Sequence, residues 1–291
     1  IISRRDSRRT LLILSSPVWI LLAGHVMTEA VLALTLALVS LTYTGLISRS
    51  RYNCKHGFVL PTLFALASFA AYLAKYSALP FILPLMIYML YRRIPRATYT
   101  VLVFAGLLLT YNVFISGFSS ERWSLSFLKS PDHGGYLALN RLGEMLPGLI
   151  YKTAAGYALA FMPHALVLAA NLLLEALKAK TARISQIFMV MKSRVVNVVE
   201  PELILAVSTY AITVTGYYVV LSISHGMPWS VDHIARYLVP LTLFITPRAM
   251  EKNRMLLSAA VITSGLVGLY LVHNASIHAF NKGYWSNLNF P

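Results

Sequence analysis

The 291 residues are 57% hydrophobic and only 12% charged, with a mean hydropathy of +0.66. A soluble domain carries about twice that charged fraction, so a soluble fold is excluded. The net charge of +15 then reads as loop charge on a membrane protein rather than as a nucleic-acid surface.

The chain opens on IISRRDSRR, which is polar and Arg-rich, and no signal peptide is visible. Because the first residue is Ile, a fragment lacking its N-terminus is expected. Nine apolar runs follow, at 11–27, 31–48, 58–74, 77–91, 98–116, 150–176, 202–223, 237–250 and 255–273. Helical runs of this kind suit a hydrocarbon layer about 30 Å thick. They lack the in/out alternation of a membrane barrel. The expected fold is all-α, one polytopic transmembrane bundle over 1–291 with about nine membrane segments.

If loops alternate sides, eighteen Lys and Arg fall on one side and seven on the other, which makes the first side cytoplasmic. The stretch 117–149 then lies outside as a membrane-surface loop, with an aromatic first part and a Gly-Gly turn. The stretch 178–200 is basic and amphipathic, an inner-surface segment. Asn274-Ala-Ser276 is formally a glycosylation sequon, although chance explains it as well. The lone Cys54 excludes an internal disulfide.

Three outer-side charges sit where charge is costly: Glu29 in GHVMTEAVLAL, Lys75 in YLAKYSALP, and Arg236, which opens RYLVP. Snorkelling to headgroups would account for Lys75 and Arg236, and helix capping for Glu29. Together they would suit a phosphate-bearing ligand and an acid/base or sugar-hydroxyl contact. His25, Tyr76, Asp232, His233 and Tyr237 are accessory candidates beside them. His25, Asp132 and His133 lack helical metal-ligand spacing, so no metal ligand is assigned. His164, inside an apolar run, reads as a packed core histidine.

SSPVWILLAGHVMTEAVLAL resembles the third helix, second outer loop and fourth helix of the C-type (GT-C) membrane glycosyltransferases. Within them the similarity is to the protein O-mannosyltransferase and aminoarabinose transferase superfamily. LAKYSALPFILPLMIYML and RYLVPLTLF resemble later segments of the same family. The resemblance implies transfer of a sugar from a polyprenyl-phosphate donor to a protein, lipid or glycan acceptor on the outer or luminal face. It gives Glu29 the place of a catalytic acidic residue, where the family more often has Asp, and gives Lys75 and Arg236 a phosphate-binding role. It also implies two upstream helices carrying the catalytic base, which this sequence does not include. A divalent metal is left open, and no other cofactor is implied. A prokaryotic plasma membrane is favoured over the endoplasmic reticulum. A membrane transporter and a non-catalytic membrane scaffold stand as alternatives.

Overall fold

A computed structural model describes residues 13–23, 28–51, 57–115, 142–178, 203–224, 231–244 and 254–281. Every regular element among them is helical. In chain order they are α1 (Pro17–Ala23), α2 (Thr28–Arg51), α3 (Val59–Ala74), α4 (Leu79–Tyr91), α5 (Ala97–Thr110), α6 (Leu142–Ala160), α7 (Met162–Lys178), α8 (Ile204–Ser224), α9 (Val231–Leu238) and α10 (Arg254–Asn281). A 3-10 turn, Tyr76–Ala78, leads into α4, and a wider π turn, Tyr111–Ile115, ends α5. A second 3-10 stretch, Val239–Leu243, prolongs α9.

Among the described residues, three helical stretches are long and apolar enough to cross a membrane: Glu29–Ser50, Ile204–Ile223 and Met255–His273. A fourth is obtained if the bent pair α6–α7 counts as one span. Of the nine crossings expected from the apolar runs, the described residues bear out the coarser part, an all-helical chain with several candidate spans. Val59–Ala74, Tyr76–Tyr91, Ala97–Val113 and Ile234–Leu243 are apolar helices of only 10–17 residues. At 1.5 Å per residue they reach about 15–26 Å, short of a hydrocarbon layer about 30 Å thick. A hydropathy run registers apolar surface and cannot say whether lipid or protein covers it.

The chain divides into two compact units. One, Thr28–Ala154 with Pro201–Ile234, is built on the α2–α3 hairpin. The buried stripe of α2 runs through Glu29, Leu32, Leu36, Ser40, Tyr43 and Ile47, while Val31, Leu34, Leu38 and Leu41 face outward. That is the 3.6-residue period of a helix with one packed face. On α3 the stripe is Pro61, Phe64, Ala65, Ser68 and Ala71. Tyr43 meets Phe64 with ring centroids 5.9 Å apart. At Gly45 the helices come so close that a Cβ would lie 3.2 Å from Leu60, the small-residue approach that helix pairs use where lipid surrounds them. The hydroxyls of Thr35, Ser40, Thr42 and Thr44 donate to carbonyls one turn back, which satisfies these four polar groups within the helix itself.

The turn from α4 to α5 is unusual. Ile94 N–H donates to Met89 O and Arg93 N–H to Leu90 O, each at 3.0 Å, which is the Schellman closure of a helix. Such a closure needs a left-handed residue, and Arg93 supplies it with φ 50° where glycine is the usual choice. Arg96, just before α5, is left-handed as well, with φ 65°. Each costs about 1–3 kcal/mol of backbone strain.

The other unit joins Ile1–Met27, Ala155–Glu200 and Ala235–Pro291. In it α10 packs on α1 so tightly that a Cβ on Gly268 would lie 2.8 Å from Ile20 and 3.1 Å from the Pro17 backbone. Val167 of α7 packs against Leu257 and Ala260 of α10. The sixth apolar run, 150–176, is broken: α6 and α7 meet at 81° around Phe161. Pro163 has no N–H to continue the ladder, and the residue before it is biased out of the helical region. The carbonyl of Ala160 freed there accepts the Ser16 hydroxyl at 3.0 Å. Further along, Trp19 Nε1 donates to Thr242, whose own hydroxyl donates to Val239 O.

Two other boundaries move. The helix α6 begins at Leu142, so the last residues of the expected 117–149 surface loop are helical. Residues 116–141 and 179–200, which hold the rest of that loop and almost all of the inner amphipathic segment, lie outside the described residues.

Candidate functional site

Glu29 stands in the first turn of α2, on the stripe that packs against α3. A carboxylate there is favoured by the positive end of the helix dipole. Lys75 follows the last residue of α3, in extended backbone with φ −166°, and its N–H closes the helix on Ala71 O at 3.0 Å. An ammonium at a helix C-terminus is likewise favoured. Because α2 and α3 are antiparallel, the start of one and the end of the other coincide. Lys75 Nζ donates to Glu29 Oε1 at 2.7 Å.

The side chains are 6% exposed for Glu29 and 15% for Lys75. A charge-assisted hydrogen bond of this length is strong, and little water competes with it. Desolvating both ions offsets much of that gain, so such a pair is weak evidence for stability by itself. Between Ala30 and Ser120 the sequence holds no Asp or Glu. Glu29 is thus the acidic partner that the α2–α3 hairpin itself provides. The sequence placed both residues at helix ends on one side; the tertiary structure brings their charges into contact.

Arg236 belongs to the other unit. It is half-buried in the last turn of α9, again the favourable end for a cation. The sequence reading has it open an apolar run at 237–250. The helix instead starts at Val231 and continues in 3-10 geometry to Leu243, so Arg236 lies within the element, among the buried Ile234, Ala235 and Leu238. Asp232 and His233 are in the first turn of α9, and Tyr237 is half-buried. Tyr76 follows Lys75 directly and is 43% exposed. His25 lies outside the described residues. Among the described residues no group of three His, Cys, Asp or Glu is placed to hold a metal ion.

Sequence reasoning passed over an aromatic cluster at the same end of the hairpin unit. Tyr72, one turn before Lys75, meets Tyr111 edge-on at 6.3 Å, and Phe69 meets Tyr111 at 6.1 Å. Tyr111 opens the π turn that ends α5, and Asn112 there donates to Leu108 O. Such turns recur at functional sites. The spacing of Tyr72 and Lys75 was legible in YLAKY, but nothing in TYNVF announces a π turn.

Comparison with family models finds no match, and comparison with curated proteins and with solved structures finds none either. The fold class stands on the helices themselves: among the described residues every regular element is helical, with three or four candidate membrane spans.

Proposed function

We propose that this chain is a membrane glycosyltransferase of GT-C type that moves a sugar from a polyprenyl phosphate to an acceptor hydroxyl at the outer face. The observation that carries the reading is the nearly buried Glu29–Lys75 pair at the end of the hairpin that the charge asymmetry assigns outside. A buried carboxylate and cation at the lip of membrane helices are expensive and usually serve a site. In the proposed reaction the acceptor oxygen bonds to the anomeric carbon while the bond from that carbon to the phosphate oxygen breaks. The acceptor proton passes to a carboxylate base, and the leaving phosphate departs as an anion. Glu29 accepts a hydrogen bond from a reacting hydroxyl and Lys75 stabilises charge growing on the phosphate, a role the resemblance also gives to Arg236. The short helices of 10–17 residues are partial spans of a larger multi-helix bundle.

The test is labelled-sugar transfer from a polyprenyl-phosphate donor by the full-length protein in liposomes. Arg236→Ala is expected to lower transfer about a hundredfold, as for removal of a preorganised donor, with Arg236→Lys recovering part of the loss. If Arg236 only anchors in headgroups, both variants keep wild-type turnover, since Lys anchors as well. Near-normal transfer by folded Arg236→Ala removes this residue from the mechanism, and the enzyme reading loses its main cation.

One observation favours a second reading. The 81° break between α6 and α7 is a helix discontinuity of the kind transporters use at binding sites. Uptake of an anionic solute into sealed liposomes, with no sugar transfer, would select it.

A further inference from the structure

The turn between α4 and α5 carries arginines where the backbone asks for glycine. Arg93 closes α4 with φ 50° and Arg96 leads into α5 with φ 65°. Glycine in either place would remove the strain. Arg92 lies beside them, so YRRIPRATY presents three guanidiniums in five residues. The turn is rigidly built: Ile94 is buried, and the Arg96 carbonyl accepts both the N–H and the hydroxyl of Thr100 at 3.0 Å.

None of the three meets a carboxylate among the described residues. Arg92 and Arg93 are exposed, and Arg92 Nε donates only to the Tyr88 hydroxyl, at 3.1 Å. Arg96 lies 3.8 Å over the Phe58 ring, which orients it without neutralising it, and its Nη1 is buried with no acceptor. No acidic residue stands anywhere from 30 to 120, so helices α2 to α5 supply no counter-charge beyond Glu29, which pairs with Lys75 at the far end of α4. Tyr91 and Phe58, 79% and 57% exposed, flank the turn, and the Tyr91 ring is amphipathic and suited to a membrane boundary.

We propose that the Arg92–Arg93–Arg96 turn is a binding site for the phosphate of an anionic lipid headgroup, at the end of the hairpin unit that the charge asymmetry assigns to the cytoplasm. Guanidinium forks match phosphate oxygens in pairs, and basic residues at this depth favour anionic lipid about fivefold each. The two left-handed residues fix the backbone from which the side chains leave, and Tyr88 and Phe58 orient the guanidiniums of Arg92 and Arg96, which diffuse loop charge does not do. The site is independent of the proposed sugar transfer and stands or falls without it.

The test reconstitutes the full chain in phosphatidylcholine vesicles with trace spin-labelled phosphatidylglycerol or spin-labelled phosphatidylcholine, and measures the motionally restricted fraction of each. Wild type is expected to hold phosphatidylglycerol preferentially. Arg92→Gln and Arg93→Gly should each lower that preference about fivefold. Arg93→Gly relieves strain, so its melting temperature in zwitterionic detergent should not fall. Arg49→Gln removes an exposed charge at the same end of the unit but outside the turn, and should leave most of the preference intact. An equal loss for Arg49→Gln and Arg93→Gly would mean general surface charge and would overturn the site. So would unchanged preference in the turn variants. Displacement of the labelled lipid by soluble glycerol phosphate would point to a soluble ligand and overturn the lipid assignment.

Discussion

At the scale of single residues, the Glu29–Lys75 contact sets a sharp expectation. Lys75→Met leaves the Glu29 carboxylate, on a side chain only 6% exposed, without its ammonium, which should cost about 3–5 kcal/mol. Adding Glu29→Gln removes the stranded charge, so the double variant should return close to wild type. The exchange Glu29→Lys with Lys75→Glu keeps the pair but reverses both charges against the helix ends. It should recover most of the loss yet fall short by about 0.3–1 kcal/mol per end, because each charge then opposes its dipole. Unfolding in detergent micelles at fixed ionic strength measures all three. A Lys75→Met protein as stable as wild type would mean that water reaches Glu29 in the native state. Both residues were legible as misplaced charges. Their contact was not, since it depends on the register of α2 against α3, which the sequence does not state.

At the scale of elements, the same glycine-to-alanine change should have opposite signs three residues apart. A Cβ on Gly265 meets nothing within 4 Å, so Gly265→Ala should stabilise α10 by about 1 kcal/mol through helix propensity alone. A Cβ on Gly268 meets Ile20 at 2.8 Å and the backbone of Pro17 at 3.1 Å, and backbone cannot rotate aside. Gly268→Ala should therefore destabilise by about 1–3 kcal/mol despite the same gain in propensity. Paired melting curves decide it; two changes of the same sign would mean that α1 does not pack on α10 at this point. In the sequence the two glycines of SGLVGLY are indistinguishable. Only the partner helix separates them.

At the scale of the whole molecule, the charge asymmetry predicts that the two ends of the hairpin unit face opposite sides of the membrane. With Cys54 replaced by Ser, Tyr76→Cys should react with an impermeant thiol reagent from outside intact cells, and Ser50→Cys only after permeabilisation. Labelling of Ser50→Cys from outside would invert the topology, placing the Glu29–Lys75 pair in the cytoplasm and the arginine turn outside. The proposed outer-face transfer and the inner-leaflet lipid site would then both fail.

By itself the sequence determined the solvent of this protein and the chemistry of its exceptions. Apolar runs with almost no charge can be stable only as helices in lipid or in a lipid-like core, and the few charges among them stand out. Its dense arginines gave an inside and an outside. Only the tertiary structure decided which runs among the described residues form one continuous helix long enough to cross, because lipid and packed protein both reward the same apolar residues. It decided that α9 begins at Val231, so that Arg236 sits inside a helix, since a helix starts where its hydrogen bonds start and not where its apolar run does. It decided that 150–176 is two helices, through Pro163 and the carbonyl that Ser16 satisfies from far along the chain. The left-handed arginines at 93 and 96 belong to the same class: their backbone is dictated by how α4 must turn back into α5, against the preference of the residues themselves.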